Sequence, residues 1–190
     1  MNKLECERNY YRTLYEAVRV INSSLEPGDL LNKVAEETAK ALQVKACSLR
    51  LLDRTGTHLL PGASHGLSKG YLRKGKIEVE KSGLDKEALA GKIVHVGDAS
   101  TDPRFQYQDA AKAEGIISVL AVPLKLEEKK IIGVMRVYSG TRREFDESEV
   151  EFLTIMANLS AIAIENARLH QALKADYELL TAFQYQTFED

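Results

Sequence analysis

Five side chains in this chain are candidates for binding a small molecule. Ser48 and Arg50 occupy alternate positions of one strand pattern, and Ser118 begins a later one. Asp98 and Phe105 bound a loop, where a carboxylate can accept from a base edge, a hydroxyl or a backbone amide, and a phenyl ring offers a flat apolar face. We predict that these five residues line a ligand site.

Two features of this set have alternative interpretations. If the Arg50 side chain lies inside a cavity, it favours an anionic ligand through a charge-assisted, bidentate contact. Alternatively, its guanidinium group extends to solvent. The segment 102–104 has the sequence Asp-Pro-Arg, which could cap the pocket or could form a turn held by local hydrogen bonds. The sequence leaves both alternatives open.

The residues that could support catalysis or metal binding lack suitable spacing. Cys6 and Cys47 share no redox or metal-ligand pattern, and Cys47 lies among apolar residues where a thiolate is disfavoured. No two histidines have metal-ligand spacing on a predicted helix; they are His58, His65, His95 and His170. We expect no catalytic residue and no metal, and the cofactor is unknown.

Length and charge limit the class of protein. With 190 residues and a formal net charge of −2, the chain is expected to form one domain plus extensions and not to bind nucleic acid. The N-terminus has no apolar secretory core, and the uncharged runs fall short of the ~20 residues of a membrane span. We therefore expect a cytoplasmic chain without a membrane segment.

The pattern of elements predicts an α+β fold. Helical periodicity covers 4–25 and 30–42, with Asp29 as the expected N-cap of the second helix. Period-two patterns predict strands, of which the clearest are 46–52, 57–64, 118–126 and 131–138. Shorter strands are expected at 76–79 and 93–96, and short helices at 66–72, 84–90 and 108–114. The expected architecture is an antiparallel sheet of about five or six strands, with the N- and C-terminal helices on one face and short helices and loops on the other.

The segment 144–183 contains neither Gly nor Pro and carries a heptad repeat of apolar residues. The repeat comprises Phe152, Ile155, Leu159, Ile162, Leu169, Leu173, Leu180 and Phe183, with Asn166 and Asp176 at the two remaining positions. A single buried Asn fixes register and favours a parallel pair of helices. We predict a parallel homodimer with Leu14, Val18, Ile21, Leu159, Ile162, Asn166, Leu169 and Leu173 in its interface; alternatively, the repeat is domain core.

The expected division of the chain follows from these patterns. An N-terminal dimerisation helix covers 1–26, the folded domain covers 27–167, and a signalling-helix extension covers 168–190.

The order of these elements resembles that of a GAF domain from about residue 15 to residue 169. The resemblance rests on Ala90-Gly91-Lys92-Ile93-Val94, on Asp98 with Asp102-Pro103-Arg104-Phe105, on the strands 118–124 and 132–135, and on Phe145-Asp146 before the last helix. It implies a sensory fold that binds small molecules between the sheet and its loop side and dimerises through its terminal helices. It also implies an output domain, such as a histidine kinase, a nucleotide cyclase or a transcription regulator.

Specific branches of the family fit less well. The Asn-Lys pair typical of the cyclic-nucleotide branch falls too early here, at Asn32-Lys33, and neither cysteine precedes a histidine as in the bilin branch. The sequence therefore does not identify the ligand. Two alternatives remain open: a ligand-free dimerisation scaffold, and an enzyme resembling the free methionine sulfoxide reductases of this fold.

Overall fold

The computed structural model describes residues 3–23, 27–73, 75–127 and 130–186. In chain order its elements are α1 (Lys3–Ser23), α2 (Pro27–Ala41), β1 (Ala46–Leu52), β2 (His58–His65), α3 (Lys69–Leu72), β3 (Ile77–Glu78), a 3-10 turn (Val79–Lys81), α4 (Gly83–Leu89), β4 (Val94–Val96), α5 (Gln108–Glu114), β5 (Ser118–Glu127), β6 (Lys130–Ser139) and α6 (Glu147–Gln186). The predicted α+β class is confirmed.

The strands form one six-stranded sheet in the order β3-β2-β1-β6-β5-β4, with antiparallel neighbours throughout. The central strands are covered on both faces, since residues 118–124 of β5 and 132–139 of β6 are all buried. This double burial explains why both strands contain near-continuous apolar runs.

The two faces of the sheet carry separate cores. Cys47 and Leu49 of β1 belong to the core beneath α1, α2 and α6, which we call the helix face. Ser48 and Arg50 alternate with them and therefore point to the other side, the loop face, which α3, α4 and α5 cover. The predicted alternation of side chains along this strand is confirmed.

The helix face is closed by a stacked aromatic pair. Tyr10 of α1 lies 4.6 Å, between ring centroids, from Phe152 of α6. Phe152 is only 2% exposed, so this member of the heptad repeat packs inside its own subunit. The repeat is domain core at its start, and its predicted dimer residues lie further along the helix.

Several predicted ends need correction. The second helix begins at Pro27, so Asp29 lies in its first turn rather than at its N-cap; proline favours the first helical position because its missing N–H would be unpaired there anyway. Residues 24–26, at the predicted end of the first helix, lie outside the described residues, as do residues 128–129 of the β5–β6 turn.

Strand β2 contains a bulge at Pro61-Gly62. The pairing register between β1 and β2 shifts between Leu49 and Arg50. A Cβ at Gly62 would lie 2.9 Å from the Leu49 carbonyl oxygen. The bulge therefore needs a residue without a side chain at this close approach.

Helix α6 is long and apolar enough over Glu147–Thr181 to span a membrane by length and composition alone. Half of its most apolar window is buried inside the domain. That burial favours a core helix of the domain over a membrane segment, although the uncharged-run argument from sequence did not anticipate the match.

Replacing Gly133 with alanine is expected to destabilise the fold by about 2 kcal/mol or more. A Cβ there would lie 2.1 Å from the Arg50 carbonyl oxygen of the neighbouring strand, so β1 and β6 would have to separate. Gly97→Ala is the matched control, because its Cβ meets nothing within 4 Å. Urea unfolding monitored by circular dichroism measures both, and equal midpoints for the two variants would contradict this packing.

Candidate ligand-binding site

A cluster of buried polar side chains lies at the centre of the loop face. It contains Ser48 and Arg50 from β1, Arg136 and Tyr138 from β6, and Asp85 from α4. Ser48 pairs with Arg136 across the two strands, and both point to the same side of the sheet. Central strands and a covering helix thus bring charges together where an apolar core would ordinarily form.

Arg136 and Asp85 form an ion pair that is closed off from solvent, with 3% and 0% of the two side chains exposed. The hydroxyl of Ser82 donates to Asp85 Oδ2 at 2.6 Å. Burial by itself would lower the pKa of Arg136, but the adjacent Asp85 carboxylate outweighs it and the pKa is raised. The guanidinium is therefore permanently charged, and it joins the first turn of α4 to the middle of β6.

Arg50 is buried as well, at 3% exposure, so the interpretation in which its head group reaches solvent was wrong. Its Nη1 atom has no hydrogen-bond partner among the described residues. Burial lowers the pKa of Arg50, yet a guanidinium starts so high that it stays protonated at neutral pH. Arg50 therefore contributes a positive charge that its surroundings leave without a dedicated partner.

Two tyrosines complete the polar surface. The Ser48 and Tyr138 hydroxyl oxygens lie 2.9 Å apart, and the edge of the Tyr71 ring from α3 meets the Tyr138 ring at a centroid distance of 6.2 Å. Burial raises the pKa of Tyr71, so its phenol is neutral. These groups add dipoles to the cluster but no charge.

The covering segment 82–115, which we call the roof, encloses the cluster with apolar side chains. Phe105 is buried in the same core as Tyr71 and Tyr138, which fits its predicted position over the site. The other large apolar residues of this core include Leu59, Ile77, Leu84, Val94, Val96 and Ile116. Outside Phe105 lies an open depression of about 670 Å³ lined by residues such as Lys81 and Gln108.

Asp98 makes its contacts within its own loop. Its side chain accepts from the backbone N–H of Ser100 at 3.0 Å and from the Ser100 hydroxyl at 2.6 Å. The Ser100 hydroxyl bond is the main cause of a lowered pKa at Asp98. Arg142 is 3.9 Å away. None of these partners belongs to the buried cluster.

The segment 102–104 adopts the local turn that was one of the two alternatives. The Arg104 backbone N–H donates to Asp102 Oδ1 at 2.9 Å, and the Arg104 guanidinium donates to both oxygens of the same carboxylate. Arg104 Nη2 also donates to the His95 carbonyl at 2.9 Å. These bonds hold the 102–104 turn against β4.

Ser118 is occupied by structural hydrogen bonds. Its hydroxyl donates to the Gly97 carbonyl at 3.0 Å and accepts from the Arg143 backbone N–H at 3.1 Å. The hydroxyl thus links the loop after β4 to the segment before α6. Of the five predicted ligand residues, the structure brings together Ser48 and Arg50, with Phe105 in the core above.

Three members of the cluster were not identified from the sequence: Asp85, Arg136 and Tyr138. A signal existed for two of them, because Arg136 and Tyr138 alternate along β6 and interrupt an otherwise apolar strand. Asp85 gave no such signal, since a carboxylate in the first turn of a helix is ordinarily an exposed partner of the helix dipole. Only the packing of α4 onto the sheet reveals its role.

The predicted dimer residues divide into two groups. Ile162, Leu169 and Leu173 of α6 are 46%, 62% and 69% exposed, and Asn166 is exposed beside them. Leu159 and, on α1, Leu14 and Ile21 are half-buried against their own core. On α1 the exposed apolar side chains are Leu4, Tyr11, Tyr15 and Val18.

The two cysteines lie apart from the cluster. Cys47 is buried on the helix face, and burial raises its pKa, so a thiolate is strongly disfavoured there. Cys6 lies on α1 and is partly exposed. Within the described residues, no group of three His, Cys, Asp or Glu side chains is arranged to hold a metal ion.

Known proteins share this sequence pattern and this fold. The chain is 32% identical over 149 residues to the methyl sulfide methyltransferase-associated sensor of Methanosarcina acetivorans, covering 76% of this chain and 15% of that protein. It is 27% identical over 180 residues to the Nif-specific regulatory protein of Herbaspirillum seropedicae, covering 88% of this chain and 31% of that protein. The chain thus spans less than a third of the length of either relative.

Among solved structures, the GAF domain of an Acinetobacter phosphoenolpyruvate-protein phosphotransferase superposes with a TM-score of 0.71 at 26% identity, covering 89% of this chain and 97% of that one. The sequence profile of the family described as "GAF domain" matches residues 26–164. The matched range includes the whole loop-face core, the helix-face core apart from its α1 residues, and every residue of the buried cluster. The chain belongs to the GAF domain family, whose members occur in sensors and regulatory proteins.

Proposed function

We propose that this chain is a sensory module that binds a small organic ligand on the loop face and passes the bound state to an output domain through α6. One observation carries the proposal: the loop-face core holds a buried charged cluster with unpaired polar atoms on Arg50, Asp85 and Arg136. Such atoms cost free energy in a core that serves only stability. A bound ligand would provide the hydrogen-bond partners that these atoms lack.

The cluster also offers a route for coupling. Asp85 lies in the roof, and Arg136 lies in a central strand next to β5. Helix α6 packs on the opposite face of β5. A ligand that moves α4 relative to β6 would therefore shift the sheet against α6. A coupling free energy of about 1–3 kcal/mol between ligand binding and output suffices for regulation.

Helix α6 supports transmission over a distance. It continues to Gln186, so the part beyond residue 167 adds roughly 28 Å at 1.5 Å per residue. Its apolar stripe stays exposed in the single chain, and we propose that a second copy covers it in a parallel pair. The names of the relatives, a sensor and a regulatory protein, favour an output domain of the kinase or transcription-regulator type.

Native mass spectrometry of the freshly purified chain tests ligand binding. We expect a reproducible extra mass of a small molecule, because an empty cluster would hold unpaired buried charge. The control is the same preparation after unfolding, dialysis and refolding, which should lack that mass and should melt at a lower temperature. Identical masses and melting temperatures before and after this treatment would favour a ligand-free scaffold.

Replacing Leu169 with Asp is expected to weaken homodimerisation about tenfold or more, since a carboxylate would be buried in an apolar seam. Leu169 is already 62% exposed in one subunit, so the domain itself should fold normally. Gln171→Asp introduces the same charge at an exposed outer heptad position of the same helix and is the control. Sedimentation equilibrium measures both dissociation constants, and equal values would contradict the seam.

The cysteines distinguish a sensor from a reductase. In the folded protein we expect Cys6 to react with a thiol reagent and Cys47 to remain unreactive, because burial raises the pKa of Cys47. The Cys6→Ser and Cys47→Ser variants separate the two signals in a timed colorimetric titration. Rapid native-state labelling of the Cys6→Ser variant, or methionine sulfoxide reduction that disappears in Cys47→Ser, would favour an enzyme.

A further inference from the structure

The charges of the buried cluster do not balance. Among the described residues, Arg50 and Arg136 contribute two positive charges to the cluster and Asp85 contributes one negative charge. Asp85 already serves Arg136 and the Ser82 hydroxyl. Since both guanidinium groups stay protonated at neutral pH, the cluster carries a net charge of +1 in a place that water does not reach.

A local rearrangement cannot remove this excess. Within the described part of the chain, Asp85 Oδ1 has no hydrogen-bond partner, and neither has Arg50 Nη1. Moving Arg50 onto Asp85 would satisfy both atoms, but it would leave two guanidinium groups sharing one carboxylate. An isolated buried charge is among the most costly features in a protein core. Among the described residues Asp85 alone supplies a negative charge to the cluster, so full compensation requires one further negative charge from a bound molecule.

Resting on the sensory function proposed above, we infer that the ligand is a small carboxylic acid whose carboxylate is held by Arg50. A carboxylate can form a bidentate contact with a guanidinium group, and it supplies the single negative charge that the cluster lacks. A dianionic phosphate would instead reverse the imbalance. The neutral hydroxyls of Ser48 and Tyr138 lie alongside, and the surrounding roof is apolar, which suits an uncharged remainder of the ligand.

The roof supports a site that opens. Arg50 and Asp85 are joined to different parts of the fold, since Arg50 belongs to the sheet and Asp85 to α4. Helix α4 is tied to β6 by the buried Asp85–Arg136 pair, whereas β4, in the same covering segment, is paired with β5. Entry of an acid beneath α4 thus requires movement of α4 against β6, while β4 keeps its pairing with β5.

The test measures thermal unfolding of the ligand-stripped full chain with sodium propionate, sodium benzoate, propionamide, sodium phosphate or sodium chloride at matched ionic strength. Propionamide has the shape of propionate without the charge. We expect at least one carboxylate to raise the melting temperature by about 3 °C or more beyond chloride and beyond propionamide. Equal shifts with chloride, or a larger shift with phosphate, would overturn the inference.

Two variants identify the residue responsible. In the Arg50→Met variant, carboxylates should no longer raise the melting temperature. Arg54 is an exposed arginine in the same hairpin, and in the Arg54→Met variant carboxylates should raise the melting temperature as in the parent chain. Without any added anion, Arg50→Met should resist urea at least as well as the parent chain, because an uncompensated charge has gone. A variant that keeps the shift, or that unfolds at clearly lower urea while Arg54→Met does not, contradicts a ligand role for Arg50.

Arg50→Lys tests the geometry of the contact separately from its charge. Lysine retains the charge but cannot form the bidentate contact. The increase in melting temperature caused by a carboxylate should therefore fall by roughly half or more. An unchanged increase would argue against the bidentate contact. The sensory proposal is judged separately. A neutral co-purifying molecule that binds the parent chain and Arg50→Met equally would overturn the carboxylate inference and leave ligand sensing intact.

Discussion

The structure depends on one electrostatic constraint: charged groups are buried at the centre of a sheet whose other face is an ordinary apolar core. The Asp85–Arg136 pair holds α4 against β6 while both side chains are closed off from water. Breaking a buried pair by removing one partner is strongly destabilising, although an apolar replacement of both is often tolerated. The ion pair therefore determines the position of α4 over the sheet. A further charge brought close to the pair would affect that position directly.

The two faces of the sheet divide stability from function. On the helix face α1, α2 and α6 close over apolar side chains of β1 and β5, with the Tyr10–Phe152 stack at the edge. On the loop face short helices cover polar groups that are incompletely paired. A fold with one well-packed face can tolerate a costly cluster on the other.

Helix α6 serves two environments in succession. As far as Ile164 its inner side is domain core, and from Arg168 to Leu180 its side chains are exposed. The same rigid rod thus touches β5 at one end and leaves the domain at the other. This arrangement connects the packing of the sheet to anything that the far end contacts, without requiring a flexible joint.

Periodicity in the sequence determined most of the fold. The alternation in β1 and the apolar faces of the helices are local signals, so elements were predicted to within a few residues of their observed ends. The sequence also suggested Arg50, but not whether it was buried. Asp98 and Ser118 looked equally suitable, although Asp98 is occupied within its own loop and Ser118 by Gly97 and Arg143. Which polar groups meet depends on contacts between residues far apart in the chain, such as Asp85 and Arg136. Those contacts, and the burial that makes their charges matter, were decided only by the tertiary structure.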